Sequence, residues 1–142
     1  MIRKIESKDK EIIMGIWLES TIKAHNFISN EYWENSYDIV KNVYIPMAET
    51  FVYEDKDGIK GFISIINNEF IGALFVATEY QGSGIGKALI DYIIDKYKKL
   101  NLAVYKDNKK SVQFYINRGF KIVKEQINED SGYDEYMMEK TF

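Results

Sequence analysis

Residues 69–99, EFIGALFVATEYQGSGIGKALIDYIIDKYKK, carry the pattern that most constrains the fold. A short apolar segment runs into a glycine-containing loop and then directly into an amphipathic pattern, which predicts a strand, a loop and a helix. The first amides of such a helix lack an acceptor within the helix and lie at the positive end of its dipole. Because Gly82, Gly84 and Gly86 allow close approach to the backbone, the loop predicts an anion-binding site.

The composition is that of one globular domain covering residues 1–142, with 46% hydrophobic and 29% charged residues. No segment approaches the roughly 18 uninterrupted apolar residues that a membrane span requires. Residues 1–6 lack the apolar segment of a signal peptide. We therefore expect a cytoplasmic protein with no membrane partner.

Residue counts disfavour two classes of function. The chain has no cysteine, and its single histidine, His25, makes a multi-histidine site impossible, so we expect no metal cofactor. The formal net charge of −3 argues against a nucleic-acid partner, because non-specific binders carry a clustered excess of Lys and Arg. The short basic runs Lys98-Lys99 and Lys109-Lys110 are interpreted as solvated helix ends.

Towards the N-terminus, the pattern predicts a strand followed by two helices. Residues 2–5 alternate as in a strand, and apolar residues then recur at helical spacing to about Ala24. Ser29 is predicted to cap a second helix with an aromatic face, and Pro46, the only proline, is predicted to close the helical region.

Three antiparallel strands are predicted before the glycine loop. Asp57-Gly58 is a hairpin turn signal, and Asn67-Asn68 supplies a second turn because Asn tolerates positive φ. Gly72 lies inside the third strand, where glycine often marks a bulge or close approach by another molecule.

Towards the C-terminus, Leu100–Tyr105 is predicted to be a buried strand, reached by a right-handed parallel crossover. Asn108 can cap a further helix that ends at Arg118-Gly119. Residues 120–126 and 135–142 alternate as an antiparallel pair. The order β-α-α-β-β-β-α-β-α-β-β predicts a mixed sheet covered by helices, which is an α+β domain.

Two common glycine fingerprints do not fit the loop. A P-loop requires glycine five places before Gly86 and a hydroxyl after the lysine, but Gln81 and Ala88 stand there. A dinucleotide fingerprint requires three places between its second and third glycines, whereas Gly84 and Gly86 are two apart.

The remaining pattern, Gln81-x-x-Gly84-x-Gly86 after a strand ending in Leu-Phe-Val, resembles the GNAT superfamily of acetyl-CoA-dependent N-acetyltransferases. The later Asn108, Phe114-Tyr115 and Gly119-Phe120 resemble the family's N…FY…GF segment at the expected distance. The family's element order fits the whole chain. The resemblance implies a mixed, mostly antiparallel sheet of six to seven strands with helices on both faces.

The resemblance also implies that acetyl-CoA is the co-substrate and that the loop amides hold its pyrophosphate. The implied binding residues are Leu74, Phe75, Val76, Gln81, Gly82, Ser83, Gly84, Ile85, Gly86, Lys87, Asn108 and Tyr115. The pantetheine arm would pair like an extra strand with residues 74–76, where the sheet splays near Gly72. The alternatives are a plain N-cap for Asn108, which is compatible with binding, and a structural tight turn for the glycines.

Acetyl transfer needs a neutral amine as nucleophile, a donor to the oxyanion and a proton for the leaving thiolate. The resemblance places Tyr115 at the family's general-acid position, and a phenol with an ordinary pKa near 10 can protonate a thiolate. The alternative is a buried tyrosine bonded to a backbone acceptor. The backbone N–H of Val76 is the candidate donor to the oxyanion.

Two residues are candidates for the general base. Glu69 lies on the strand where many family members place a carboxylate, although this position also suits a solvated strand end. His25 has a suitable ordinary pKa and lies in HNFIS, a helix connection that flanks the acceptor cleft in the family; a similar His-x-Phe occurs in small bacterial members. Water-mediated deprotonation would need neither residue. His25, Phe27, Tyr32 and Trp33 are predicted to line the acceptor site, with core packing as the alternative.

We therefore expect an N-acetyltransferase that moves an acetyl group to a primary amine by direct attack in a ternary complex. A lysine side chain, a peptide N-terminus and a small-molecule amine are all compatible acceptors. The alternative from another class is a catalytically silent acyl-CoA-binding or regulatory module. Both a monomer and a homodimer are compatible with the sequence.

Overall fold

A computed structural model describes residues 1–141. The strands are β1 (Ile2–Lys4), β2 (Glu49–Asp55), β3 (Gly58–Ile66), β4 (Phe70–Val76), β5 (Lys99–Tyr105), β6 (Lys121–Ile127) and β7 (Asp134–Thr141). The α-helices are α1 (Lys10–Ala24), α2 (Asn30–Ile39), α3 (Ile45–Met47), α4 (Ile85–Ile94) and α5 (Lys109–Asn117). A π-helical turn, Val40–Tyr44, joins α2 to α3, and short 3₁₀ turns occupy Ser7–Asp9 and Thr78–Tyr80.

The seven strands form one sheet with the order β1-β2-β3-β4-β5-β7-β6. All neighbouring pairs are antiparallel except β4 and β5, which are parallel as the crossover predicts. Asn67 and Asn68 turn the chain with φ of 56° and 59°. The predicted mixed, mostly antiparallel α+β fold is therefore confirmed.

The two faces of the sheet carry separate hydrophobic cores, because successive strand residues point to opposite faces. Ile63 of β3 belongs to the cluster beneath α4 and α5, whereas Phe62 belongs to the cluster beneath α1 and α2. Both side chains are fully buried, and burial of each contributes about 1.5–3 kcal/mol to the free energy of unfolding. The predicted placement of helices on both faces is confirmed.

Pro46 lies inside α3, and the helical region ends at the next residue, Met47, so the predicted closure at the proline is confirmed to within one residue. In the π turn before it, Ile45 N–H donates to Val40 O, five residues back. The regular hydrogen-bond ladder is therefore already interrupted where the proline, which has no N–H, must be accommodated.

The helix after the glycine loop is shorter than its apolar pattern predicts. It ends at Ile94, so Tyr97 lies in the turn before β5, where its hydroxyl donates to Glu49 Oε1 at 2.6 Å. Of the predicted last strand, Phe142 lies outside the described residues.

Within residues 1–141, none of the helices combines the length and apolarity that crossing a membrane requires. No group of three or more His, Cys, Asp or Glu side chains there is arranged to hold a metal ion.

Candidate active site

The sheet splits between β4 and β5. These strands share one residue pair, Phe70 with Asn101, and Asn101 N–H donates to Glu69 O at 2.9 Å. Beyond this point β4 pairs only with β3, so its other edge faces an open gap.

The predicted bulge lies in β4 at the start of this gap. Ser64 of β3 pairs with Ala73 and Ile65 pairs with Ile71, which leaves Gly72 between them without a partner. An unpaired residue of this kind bends the strand and increases its twist. The bulge therefore directs β4 away from β5 and helps to open the gap.

Leu74 and Val76 present their backbone N–H groups to the gap. Ala77 N–H donates to Lys60 O at 2.9 Å, so Val76 and its partner Gly61 form a non-hydrogen-bonded pair in the antiparallel ladder. The backbone groups of such a residue point away from the partner strand. The alternation along the strand orients Leu74 in the same way.

The glycine loop turns β4 into α4 with two residues in the left-handed region, Gly82 at φ 82° and Gly84 at φ 89°. Gly84 is the N-cap of α4, and the first helical hydrogen bond runs from Ala88 N–H to Gly84 O at 3.0 Å. The amides of residues 85–87 therefore have no acceptor within the helix. They provide the predicted site for an anion.

Two side-chain hydrogen bonds hold this loop in shape. Gln81 Nε2 donates to Val76 O at the end of β4, at 3.0 Å. Ser83 Oγ donates to Tyr80 O within the connection itself.

A cavity of about 960 Å³ lies between the glycine loop and the N-terminus of α5, and we refer to it as the loop cavity. All of the predicted cofactor-binding residues border it except Ser83: Leu74, Phe75, Val76, Gln81, Gly82, Gly84, Ile85, Gly86, Lys87, Asn108 and Tyr115. Its other charged lining residues are Lys23, Lys109, Lys110 and Asp107. Lysines outnumber carboxylates on this wall, so the loop cavity is positively charged.

A second cavity of about 730 Å³ lies on the α1 and α2 side of the gap, and we refer to it as the aromatic cavity. Tyr32, Trp33 and Tyr105 border it, and its only charged lining residues within 1–141 are Asp130 and Glu135. Both cavities are bordered by Leu74, Phe75, Asn108, Ser111 and Tyr115. The two spaces therefore meet beside the open edge of β4.

Tyr115 stands at this junction. The residue is 8% exposed, and its ring packs edge to face against Phe114 and Phe120. Burial raises its pKa above the ordinary value, and its hydroxyl has no hydrogen-bond partner within residues 1–141. The backbone acceptor that a purely structural tyrosine would require is thus not found in the described part of the chain.

Asn108 borders both cavities and contacts His25, which borders the aromatic cavity. Its Oδ1 accepts a bond from Ser111 N–H at 3.3 Å, as an N-cap does, and its Nδ2 lies 3.2 Å from His25 Nε2. His25 Nδ1 lies 2.8 Å from Thr21 O, so the consistent tautomer has a proton on Nδ1 and accepts from Asn108 at Nε2. Burial lowers the pKa of His25, which favours this neutral form.

The predicted acceptor residues are only partly brought to the aromatic cavity. His25, Tyr32 and Trp33 border it. Phe27 does not border the cavity. It packs behind the lining residue Tyr105, with ring centroids 5.9 Å apart, and its ring lies 5.5 Å from that of Tyr133. Phe27 supports the wall rather than forming its surface.

Glu69 is not brought to either cavity. Its side chain is 46% exposed, and one of its carboxylate oxygens lies 3.6 Å from Lys99 Nζ. The residue precedes the point where β4 and β5 separate, whereas both cavities open further along β4. This placement matches the solvated strand end that the sequence left as the alternative.

Sequence reasoning identified Lys87 but missed the other charged residues of the two cavities. Glu135 is 7% exposed and accepts bonds from Gln126 Nε2 at 2.7 Å and Asn128 Nδ2 at 3.0 Å. A charged residue at an inward position of an alternating strand was the available signal. Lys109 and Lys110 are exposed, as expected of a helix end, but they also border the loop cavity.

Comparison with known proteins agrees with this geometry. The acetyltransferase (GNAT) domain family matches residues 15–142. Peptidyl-lysine N-acetyltransferase YiaC of Escherichia coli (strain K12) is 37% identical over 123 residues, which are 87% of this chain and 84% of YiaC. The solution structure of apo-form YjaB from Escherichia coli superposes with a TM-score of 0.85 and 25% identity, covering 98% of this chain and 95% of YjaB.

The fold alone is shared with PaiA N-acetyltransferase from Thermoplasma acidophilum, whose crystal structure is a complex with coenzyme A. It superposes with a TM-score of 0.82 at 24% identity, covering 100% of this chain and 98% of PaiA. The family match includes the glycine loop, Asn108 and Tyr115. This chain belongs to the GNAT acetyltransferase family and is an N-acetyltransferase.

Proposed function

We propose that this enzyme transfers the acetyl group of acetyl-CoA to the side-chain amine of a lysine in a peptide or protein. The observation that carries the proposal is the meeting of two oppositely charged cavities at Tyr115, beside the open edge of β4. An anionic carrier suits the loop cavity, and a cationic amine suits the aromatic cavity. The peptidyl-lysine activity named for YiaC supports lysine as the acceptor.

The loop cavity fits acetyl-CoA on three features of this chain. The acceptor-free amides of residues 85–87 suit a pyrophosphate, and the exposed ammonium groups of Lys109 and Lys110 suit a further phosphate. The outward N–H groups of Leu74 and Val76 suit the amide-containing pantetheine arm, which would add to the sheet like a strand.

Val76 and Tyr115 are the residues that we assign to the transfer itself. The amine nitrogen forms a bond to the acetyl carbon, the carbon–sulfur bond breaks, and Tyr115 gives its proton to the departing sulfur. A phenol with an ordinary pKa near 10 already holds this proton at neutral pH, and burial raises the pKa of Tyr115 further. The Val76 N–H, fixed by the strand, donates to the oxyanion without reorganisation.

Water is the proton acceptor that we propose for the incoming ammonium group. The Nε2 lone pair of His25 is occupied by Asn108, and burial lowers its pKa. Glu69 is outside both cavities and paired with Lys99. We therefore assign His25 to holding Asn108 in position, and Tyr115 regains a proton from the acylated nitrogen through solvent.

The rim of the aromatic cavity suits a peptide. Ile39 and Tyr44 border this cavity and are 47% and 45% exposed, so they offer apolar surface to residues that flank a lysine.

A cytoplasmic location, and assembly as either a monomer or a homodimer, stay predictions.

A thiol-release assay with acetyl-CoA tests the proposed function. The panel contains a lysine peptide with a blocked N-terminus, the same peptide with norleucine for lysine, a peptide with a free N-terminus and no lysine, and spermidine. We expect free CoA thiol only with the first peptide, and a mass increase of one acetyl group on its lysine. Failure of every amine, while acetyl-CoA still raises the melting temperature, would instead support the silent acyl-CoA-binding module.

A further inference from the structure

We propose that Glu135 binds the positive charge of the acceptor and is the residue by which the enzyme selects a cationic amine. The inference rests on the proposed function for the identity of the acceptor. It assigns Glu135 to substrate recognition and not to proton abstraction.

Glu135 is a buried carboxylate whose partners are all neutral. It is 7% exposed, and its oxygens accept only from the side-chain amides of Gln126 and Asn128. No Lys or Arg of residues 1–141 forms an ion pair with it. Glu135 borders the aromatic cavity, so a cation that enters this cavity would supply the counter-charge that the described residues do not.

The second acidic residue of the cavity, Asp130, is exposed in the loop between β6 and β7, where the Tyr32 hydroxyl donates to its Oδ2. Solvent weakens the attraction of an exposed carboxylate for a cation. The buried carboxylate of Glu135 therefore attracts a ligand cation more strongly. The absence of any Lys or Arg among the described lining residues leaves this charge uncompensated.

Aromatic rings surround the same space. Tyr105 is directly opposite Glu135 in the β5–β7 ladder, so both side chains lie on one face of the sheet. The Trp33 ring is 6.2 Å from Tyr105 and 4.9 Å from Tyr32, centroid to centroid. Aromatic faces attract cations, and the attraction increases when the cation is desolvated.

The reacting end of the site supplies an independent indication of a ligand. Tyr115 is more than nine-tenths buried, borders the aromatic cavity, and has a hydroxyl without a partner within residues 1–141. A cation held by Glu135 thus occupies the same cavity as the group assigned to protonate the leaving sulfur. An uncharged side chain in that cavity would leave Glu135 without a counter-charge.

Binding of two unreactive peptides tests this inference without turnover. One peptide carries trimethyllysine, which keeps its charge and cannot be acetylated, and the other carries norleucine at the same position. Calorimetry with the wild type should show about tenfold or greater preference for the charged peptide. Glu135→Gln should reduce the ratio towards one and leave acetyl-CoA binding unchanged.

Glu139→Gln is the matched control, because Glu139 lies on the same strand, pairs with Lys99 at 3.8 Å and borders neither cavity. Glu135→Asp retains the charge and should recover most of the preference, which a purely structural defect would not. Equal binding of the two peptides by the wild type, or an unchanged preference in folded Glu135→Gln, would overturn the inference. Failure of the proposed function would be seen in the thiol assay instead, since neither peptide reacts.

Discussion

The loop cavity and the aromatic cavity share a wall but differ in the sign of their charge. The loop cavity has helix N-terminal amides and four bordering lysines, Lys23, Lys87, Lys109 and Lys110, against one carboxylate. The aromatic cavity has Asp130 and Glu135 and no lysine or arginine among its described lining residues. Each cavity therefore suits a ligand whose charge is opposite to its own, and Tyr115 lies where the two cavities meet.

The difference follows from which elements supply each wall. The loop cavity is built from the N-terminal ends of α4 and α5, where free amides and nearby lysines add positive potential. The aromatic cavity is built from α1, α2 and the β6–β7 hairpin, which contribute rings and carboxylates. The split between β4 and β5 connects the two regions, so two substrates of opposite charge can meet at the wall that the cavities share.

Tyr115→Phe should have the largest effect, because it removes the hydroxyl that we assign to protonate the leaving sulfur. We expect kcat to fall about 100-fold or more, while acetyl-CoA affinity changes less than about twofold. Tyr92→Phe is the control, since Tyr92 is a partly buried tyrosine of α4 that borders neither cavity. An unchanged kcat in Tyr115→Phe would remove Tyr115 from the mechanism.

Replacing Lys109 and Lys110 together by alanine should weaken only the binding of acetyl-CoA in the loop cavity. We expect the KM for acetyl-CoA to rise about three- to tenfold at low salt and less at high salt, because the lysines are exposed and screened. The KM for the lysine peptide should not change. The double variant Lys98→Ala/Lys121→Ala removes the same charge from exposed positions that border neither cavity. If both double variants behave alike, the loop cavity does not use these two lysines.

His25→Gln should change the pH dependence of stability. The folded-state pKa of His25 lies below its ordinary value of 6.5. At pH values between the two, the unfolded chain therefore binds a proton that the folded chain does not. The free energy of unfolding should therefore fall as pH drops below about 6.5, by at most about 1.4 kcal/mol per pH unit from this group. Because His25 is the only histidine, the variant should lose this component in urea unfolding at about pH 7.0 and 5.5. The same slope in both proteins would show that His25 is not held neutral.

Glu69→Gln should have the smallest effect. The side chain is exposed and outside both cavities, so we expect kcat and both KM values to stay within about twofold of the wild type. Steady-state kinetics with the lysine peptide provide the measurement. A fall in kcat of tenfold or more would restore Glu69 as a candidate base.

The loop cavity could be predicted from the sequence much better than the aromatic cavity. Gly82 and Gly84 permit the left-handed backbone that the loop adopts, and Asn108 favours a helix start, so local chemistry placed the carrier side. The aromatic cavity depends on strand order, since Glu135 reaches it only because β7 lies next to β5. No local pattern in residues 128–134 indicated that Asp130 would meet Tyr32 of a distant helix.

Helix boundaries were predictable where a capping residue lies next to the helix in the sequence. The start of α5 was predicted, because its capping residue Asn108 immediately precedes the helix in the sequence. The π turn of residues 40–44 was not predicted, because no local signal in that segment marks a widened turn.

We propose that both substrates occupy their own cavities at once and that transfer is direct. Initial rates over a grid of acetyl-CoA and lysine-peptide concentrations distinguish direct transfer from transfer through the enzyme. A ternary complex, in an enzyme without a cysteine nucleophile, should give double-reciprocal lines that intersect. Parallel lines, which indicate an acetylated enzyme intermediate, would contradict it.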